Sequence, residues 1–236
     1  MTTTIESAGP GSEVAGMNGT PILPPLLGDG EGKYRILVLG NSGSGKSTTA
    51  RVLSKILSIP FISIDELHWG PNWYQAPAAE LIEKVQKAMD DTDGSWIAEG
   101  DYMHKLNSYV VDRATDVIWL DPPLMLYFPR IFTRTIARLL GFAPPCAPGC
   151  PESVREAFFS KDSILWWCLS QHWRNRRRNE ERMRWIGIGC EGKEGDGVER
   201  EGVPRLEGRR RMRRLAGWGE ERDLWLDAVR AMRKAE

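Results

Sequence analysis

No stretch of this chain limits its fold more than Gly40-Asn41-Ser42-Gly43-Ser44-Gly45-Lys46-Ser47-Thr48. Its spacing, G-x-x-x-x-G-K-[ST], is that of a phosphate-binding loop, the Walker A motif. Glycines let the backbone curl with its N–H groups facing inward, where a side chain would block a phosphate. A helix starting at Lys46 adds unpaired N–H groups and the positive end of its dipole. Lys46 suits the terminal phosphates, and the Ser47 hydroxyl suits Mg²⁺. The apolar run Ile36-Leu37-Val38-Leu39 before the loop and Ala50, Leu53, Ile56 and Leu57 after it supply the strand and amphipathic helix that the motif requires. The stretch implies a bound nucleoside triphosphate and Mg²⁺.

The rest of the chain alternates short apolar runs with helical patterns. Pro60 ends the first helix, and Phe61-Ile62-Ser63-Ile64 reads as a second strand ending at Asp65-Glu66. Ligands of open α/β sheets sit outside the carboxyl ends of strands, so Asp65 is placed for chemistry. It could hold Mg²⁺ through water, accept a proton from an acceptor substrate, or cap the next helix. His68, beside Trp69, reads as a packed or surface residue. Leu81, Ile82, Val85 and Met89 give a helix over 78–90. Ser95-Trp96-Ile97-Ala98 is a third strand ending at Glu99-Gly100, where the glycine permits close approach and Glu99 is a second candidate for the metal. Asp116 to Asp121 is a fourth strand, Arg213 to Trp218 a fifth, and Glu220 to Lys234 a closing helix. Strands alternating with helices predict an α/β fold with a parallel, doubly wound sheet.

Over 124–140 a helical pattern carries Arg130, Arg134 and Arg138 at four-residue spacing, with no acid in the stretch. Guanidinium groups near a phosphate loop suit the charge that develops on a transferring phosphoryl group. A helix predicted over 152–184 is aromatic through Phe158, Phe159, Trp166, Trp167 and Trp173, then basic through Arg174, Arg176, Arg177 and Arg178. Packing in a core and lid is the plainer reading of the tryptophans, and base stacking on nucleic acid the other. Cys146, Cys150, Cys168 and His172 could form a zinc site, although their spacing matches no zinc ribbon.

Lysine plus arginine and aspartate plus glutamate both number 32, so net charge announces neither a nucleic-acid nor a membrane partner. Four cysteines do not suggest a disulfide framework. No apolar run approaches the ~20 residues of a membrane span, and no secretory signal is evident. A cytoplasmic monomer is the expectation. Residues 1–32 are rich in Gly, Pro, Ser and Thr and predict a flexible extension, from which Ile22 to Leu27 could dock on the body. Residues 33–236 form the domain, with a lid at about 138–178 and a flexible Gly/Glu-rich insertion at about 187–208.

With these pieces placed, the chain resembles small P-loop proteins related to adenylate kinase and shikimate kinase, described as adenylate-kinase-like or DNA-topology-modulation (FlaR-like) proteins. The likeness lies in Gly40 to Ser47, in Ile64-Asp65-Glu66-Leu67-His68-Trp69-Gly70-Pro71-Asn72-Trp73 and in Ser95 to Tyr102. Asp116 to Asp121, Gly149-Cys150-Pro151-Glu152 and Trp173 to Arg178 complete it. It implies a P-loop NTPase fold of nucleoside-monophosphate-kinase type: three α/β/α layers, a five-stranded parallel sheet and a helical, arginine-rich lid. Glu99-Gly100-Asp101 departs from the Asp-Gly-Asn common in that family, which shifts the chemistry at that strand end.

The resemblance and the motifs together imply an ATP- and Mg²⁺-dependent kinase of a nucleoside monophosphate or similar small acceptor. Lys46, Asp65, Arg130, Arg134, Arg174 and Arg178 are the candidate catalytic residues. Gly40 to Thr48 would bind ATP, and Ser47, Asp65 and Glu99 the metal. No Asn-Lys-x-Asp stretch of the guanine-reading kind occurs, which favours adenine. The alternatives are a nucleic-acid-associated regulator that uses ATP as a switch, and a scaffold that has lost catalysis.

Overall fold

The computed structural model describes residues 23–143, 164–188 and 211–235, with 164–168 as backbone only. In chain order the elements are β1 (Arg35–Gly40), α1 (Lys46–Leu57), β2 (Phe61–Ser63), α2 (Ile64–His68), β3 (Trp69–Gly70), β4 (Tyr74–Gln75) and α3 (Ala78–Asp90). There follow β5 (Trp96–Glu99), α4 (Met103–Leu106), α5 (Tyr109–Arg113), β6 (Asp116–Asp121), α6 (Leu124–Leu139), α7 (Ile164–Ile186), β7 (Met212–Ala216) and α8 (Glu220–Ala235). Strands β2, β5, β1, β6 and β7 pair in that order as one five-stranded sheet, every pair parallel. This is the expected α/β architecture.

Alternation along the strands builds the three layers. In β1, Leu37 and Leu39 join Ala98, Val117 and Trp119 beneath Leu81, Val85, Met103 and Val110 of α3, α4 and α5. Ile36 and Val38 point the other way, with Ile97, Ile118 and Leu120, onto Ala50 and Leu53 of α1 and Trp225 and Val229 of α8. Both faces are covered, which is why the strands read as continuous apolar runs. Because β1 is the middle strand, the loop that leaves its carboxyl end sits at the centre of one sheet edge, where the ends of β5, β2, β6 and β7 also lie.

Three boundaries differ from expectation. Strand β2 stops at Ser63, whose hydroxyl accepts from the Glu66 N–H and caps α2. Asp65 therefore stands in the first turn of a helix rather than at a strand end, and it is not the cap. Glu99 is the last residue of β5 instead of following it, in register with Val38. The helix expected over 152–184 is described over Ile164–Ile186.

The apolar patch near the amino end docks on the body. Leu26 is buried with the α1 and α8 side chains. The Leu27 and Gly28 N–H groups donate to the Asp116 carboxylate at 2.7 and 3.0 Å. Trp225 Nε1 donates to the Pro25 carbonyl at 2.8 Å, and an Arg213 guanidinium donates to that of Pro24 at 2.9 Å. Residues 1–22, 144–163 and 189–210, which hold Cys146, Cys150, Phe158, Phe159 and most of the Gly/Glu-rich insertion, lie outside the described residues.

Candidate active site

Local chemistry explains the shape of the phosphate loop. Gly40, Gly43 and Gly45 hold φ of 149°, 74° and 94°, values that side-chain-bearing residues rarely adopt. A Cβ at Gly40 would stand 2.7 Å from the Leu120 carbonyl oxygen, and one at Gly43 would stand 2.5 Å from Ile131 Cγ1. The loop is thus pressed between the end of β6 and helix α6, and glycine is needed at both positions. No side chain caps α1, and no acid stands in its first turn. The N–H groups there face the sheet edge with the positive end of the helix dipole behind them, the arrangement that binds an anion.

Lys46 Nζ donates to the Asn41 carbonyl at 3.2 Å, so the ammonium lies over its own loop. Ser47 Oγ donates to Glu99 Oε1 at 2.9 Å, and Ser63 Oγ lies 3.5 Å from the same oxygen. Burial pushes the Glu99 carboxyl above its usual range, against the pull of Lys46 and the Ser47 hydrogen bond, while Asp65 pushes it further up. Its other oxygen, Oε2, is buried with no hydrogen-bond partner among the described residues. A hydroxyl and a carboxylate with an open oxygen are hard donors. They fit Mg²⁺, which takes one or two protein oxygens and completes its shell with water and phosphate. Asp65 stands near enough to act on Glu99 and is half-buried. Among the described residues no group of three or more His, Cys, Asp or Glu side chains could hold a metal by itself.

The predicted arginines are placed unequally. Arg134 Nη2 donates to Ser42 Oγ at 3.2 Å and so reaches the loop. Arg130 and Arg174, like Arg134, are exposed. Arg178 turns toward the end of β5, 3.7 Å from Asp101 Oδ2, and donates to Asn175 Oδ1. Burial lowers its pKa from the ordinary guanidinium value while Asp101 raises it. Arg176 lies 3.6 Å from Asp121 Oδ2 at the end of β6, where Arg214 also bonds. His68 is buried against Trp69 and Tyr102, and desolvation, with Lys105 adding to it, lowers its pKa to about 4.

Several more side chains complete the site, of which Tyr127, Asn175, Asn179 and Arg182 were not singled out by the sequence. Asn41 is buried; its Oδ1 accepts from the Ser42 N–H at 2.9 Å, and its Nδ2 donates to the Tyr127 hydroxyl at 2.9 Å. That hydroxyl lies 2.6 Å from His172 Nδ1. Arg182, almost wholly buried, bonds Asp101 at 3.3 Å. The signal for those on α7 was the repeat His172, Asn175, Asn179, Arg182, which puts four polar side chains on one helix face. In the fold that face is buried. His172 thus bonds Tyr127 through one of its two ring nitrogens, Nδ1; the Cys146, Cys150 and Cys168 side chains lie outside the described residues.

The chain matches no protein-family model and no curated protein sequence. Solved structures with a similar fold include a sugar kinase from Janibacter sp. HTCC2649, at 17% identity over 84% of this chain and 97% of that chain, with a TM-score of 0.43. A gluconokinase from Sinorhizobium meliloti 1021 is 14% identical over 86% and 96%, with a TM-score of 0.41. A shikimate kinase from Bacteroides thetaiotaomicron is 14% identical over 61% and 79%, with a TM-score of 0.37.

Proposed function

We propose that the chain is an ATP-binding, Mg²⁺-dependent phosphotransferase whose acceptor is a nucleoside monophosphate or a similar small molecule. The observation that carries this reading is the Ser47–Glu99 contact at the mouth of an uncapped glycine-rich loop. A phosphate cradle alone would bind any anion. A cradle with a hydroxyl and a half-satisfied carboxylate beside it provides for the cation that accompanies a nucleoside triphosphate.

When bound, ATP supplies the phosphoryl group and Mg²⁺ neutralises phosphate charge. The chain's own groups do the rest. Backbone N–H groups from Gly40 to Thr48 hold the phosphates. Lys46, freed from the Asn41 carbonyl by a small rotation, stabilises the terminal ones. Ser47, Glu99 and Asp65 would hold the metal, Ser47 through its hydroxyl and the two acids through their carboxylates. Arg134, already against Ser42, meets the charge that builds on the transferring group. Arg178, beside Asp101, and Arg130 and Arg174, on α6 and α7, are further guanidinium groups for the same charge. The described ends of the expected lid at about 138–178, on α6 and α7, would then exclude water and limit wasteful hydrolysis; its residues 144–163 lie outside the described residues.

At the finer level, the motifs quoted above align the chain with the adenylate-kinase-like, DNA-topology-modulation proteins, and a cytoplasmic location accords with that assignment. No helix of the described residues is long and apolar enough to cross a membrane.

The test is ATP consumption with Mg²⁺, alone and with a panel of nucleoside monophosphates and small hydroxyl metabolites. Acceptor-dependent ADP release, lost in Lys46→Ala with native circular dichroism, is the expected result. Undiminished turnover in a folded Lys46→Ala variant removes the phosphate-loop assignment.

A further inference from the structure

A glycine-rich loop is floppy unless something outside it fixes its shape, because glycine loses the most freedom on ordering. In this chain the fixing point is Asn41. Its carbonyl holds Lys46 and its side chain bonds the next N–H, that of Ser42. Rotation of this one residue would move both the lysine and the first amides of the cradle.

The Asn41 side chain is gripped from two helices. From α6, the Tyr127 hydroxyl accepts from Nδ2 at 2.9 Å, and Tyr127 is buried. From α7, Asn175 Nδ2 approaches Oδ1 at 3.5 Å, and His172 Nδ1 meets the Tyr127 hydroxyl at 2.6 Å. The directions are consistent: the Asn41 amide donates to Tyr127, and a neutral His172 with its proton on Nε2 accepts the Tyr127 O–H. Burial lowers the His172 pKa and so favours the neutral ring, with Asp121 opposing and Arg176 assisting. Polar groups withdrawn from water cost free energy unless bonded, so a buried set across three elements needs a reason. A solvent-facing helix would not need one, and an ordinary core would use leucines.

We propose that Tyr127, His172 and Asn175 are positioning residues for the phosphate loop, clamping the Asn41 side chain so that the loop keeps its phosphate-binding shape. The proposal rests on reading Gly40–Thr48 as a nucleotide loop. None of the three needs to touch the nucleotide. Their effect is on how much of the population holds the cradle ready, and that fraction multiplies apparent affinity directly.

The experiment is calorimetric titration of MgADP into the full chain and into Tyr127→Phe, His172→Ala and His172→Asn, with thermal melting of each. Tyr127→Phe keeps the ring and removes the hydroxyl. His172→Asn replaces the ring but can leave an acceptor near Nδ1. Losing one neutral hydrogen bond corresponds to about three- to tenfold. Tyr127→Phe and His172→Ala are expected to weaken MgADP by that factor, and His172→Asn to recover most of it. Amide exchange at Ser42 to Ser44 should quicken in Tyr127→Phe without nucleotide. Wild-type affinity in folded Tyr127→Phe and His172→Ala overturns the clamp, and so does a His172→Asn variant as weak as His172→Ala. A wild-type chain that binds no MgADP overturns the nucleotide reading and the clamp with it.

Discussion

Replacing Gly43 by alanine separates two kinds of cost that a phosphate loop carries. The first is conformational: φ at this position is 74°, and a residue with a Cβ pays about 1–2 kcal/mol to hold it. The second is steric. The new Cβ would stand 2.5 Å from Ile131 Cγ1, 3.0 Å from its Cδ1 and 3.1 Å from the Tyr127 carbonyl oxygen. Ile131 is wholly buried and the carbonyl belongs to α6, so neither can swing into solvent. Overpacking of that kind costs about 1–3 kcal/mol. Together Gly43→Ala should destabilise the fold by about 2–5 kcal/mol.

Gly45 is the control. Its φ of 94° is equally unsuited to alanine, but a Cβ there meets only Arg222 Nη1, at 3.7 Å. Gly45→Ala should therefore lose only the conformational part, about 1–2 kcal/mol. The steric part is isolated by a double-mutant cycle with Ile131→Ala. That change alone opens a cavity worth about 2–5 kcal/mol. In combination with Gly43→Ala it removes the colliding atoms, so the pair should be less damaging than the sum by about 1–3 kcal/mol. Urea unfolding followed by circular dichroism gives the four free energies. Additivity within about 0.5 kcal/mol, the behaviour of independent sites, would refute the packing of α6 on the loop.

Two further outcomes follow from the site and its surroundings. Glu99→Gln should raise the Mg²⁺ concentration needed for half-maximal ATP turnover about tenfold or more, the range for groups that orient a metal's shell. Because it removes a buried charge it should not lower the melting temperature, and an unchanged Mg²⁺ requirement would take Glu99 out of the metal's surroundings. His68 has a folded pKa of about 4 against an ordinary 6.5, so the unfolded chain binds the proton more readily in that window. Its contribution to stability is complete above about pH 6.5 and is lost as pH falls toward 4, by at most about 3 kcal/mol at ~1.4 kcal/mol per unit. His68→Gln should flatten the stability profile between pH 4.5 and 6.5 relative to the wild type, and parallel profiles would contradict this.

The parts of the fold that could be read from sequence are those whose cause is local. Ile36 to Leu39 and Gly40 to Thr48 announce a buried strand and a phosphate cradle because the pattern and the geometry it serves are contiguous. The amphipathic α3 and α8 were visible for the same reason. What depended on tertiary partners was not. Polar residues at 172, 175, 179 and 182 look like a solvent face, because sequence does not say that the helix will lie against a site that needs hydrogen bonds. At four-residue spacing Arg130 and Arg134 of α6 look equivalent. Once Tyr127 and Ile131 turn inward both stay exposed, and Arg134 is the one that reaches Ser42. Asp65 was read as a strand-end acid, but the Ser63 hydroxyl was enough to start a helix before it. Asp116 reads as an ordinary first residue of a strand, and its partners lie 88 and 89 positions earlier in the chain.

Those distant partners bear on the order in which the molecule assembles. The segment at Pro24–Gly28 fastens to β6, to Arg213 on β7 and to Trp225 on α8, so two of its anchors lie 189 and 200 positions further along the chain. During synthesis the segment emerges well before those anchors and must wait for them before it has somewhere to bind. Closing so long a circuit adds little entropy beyond that of a shorter one, because the cost grows only logarithmically. Contacts that wait for β6, β7 and α8 to be in place contribute little to the speed of folding. They act on the reverse process, as a clasp that must open before the sheet can come apart.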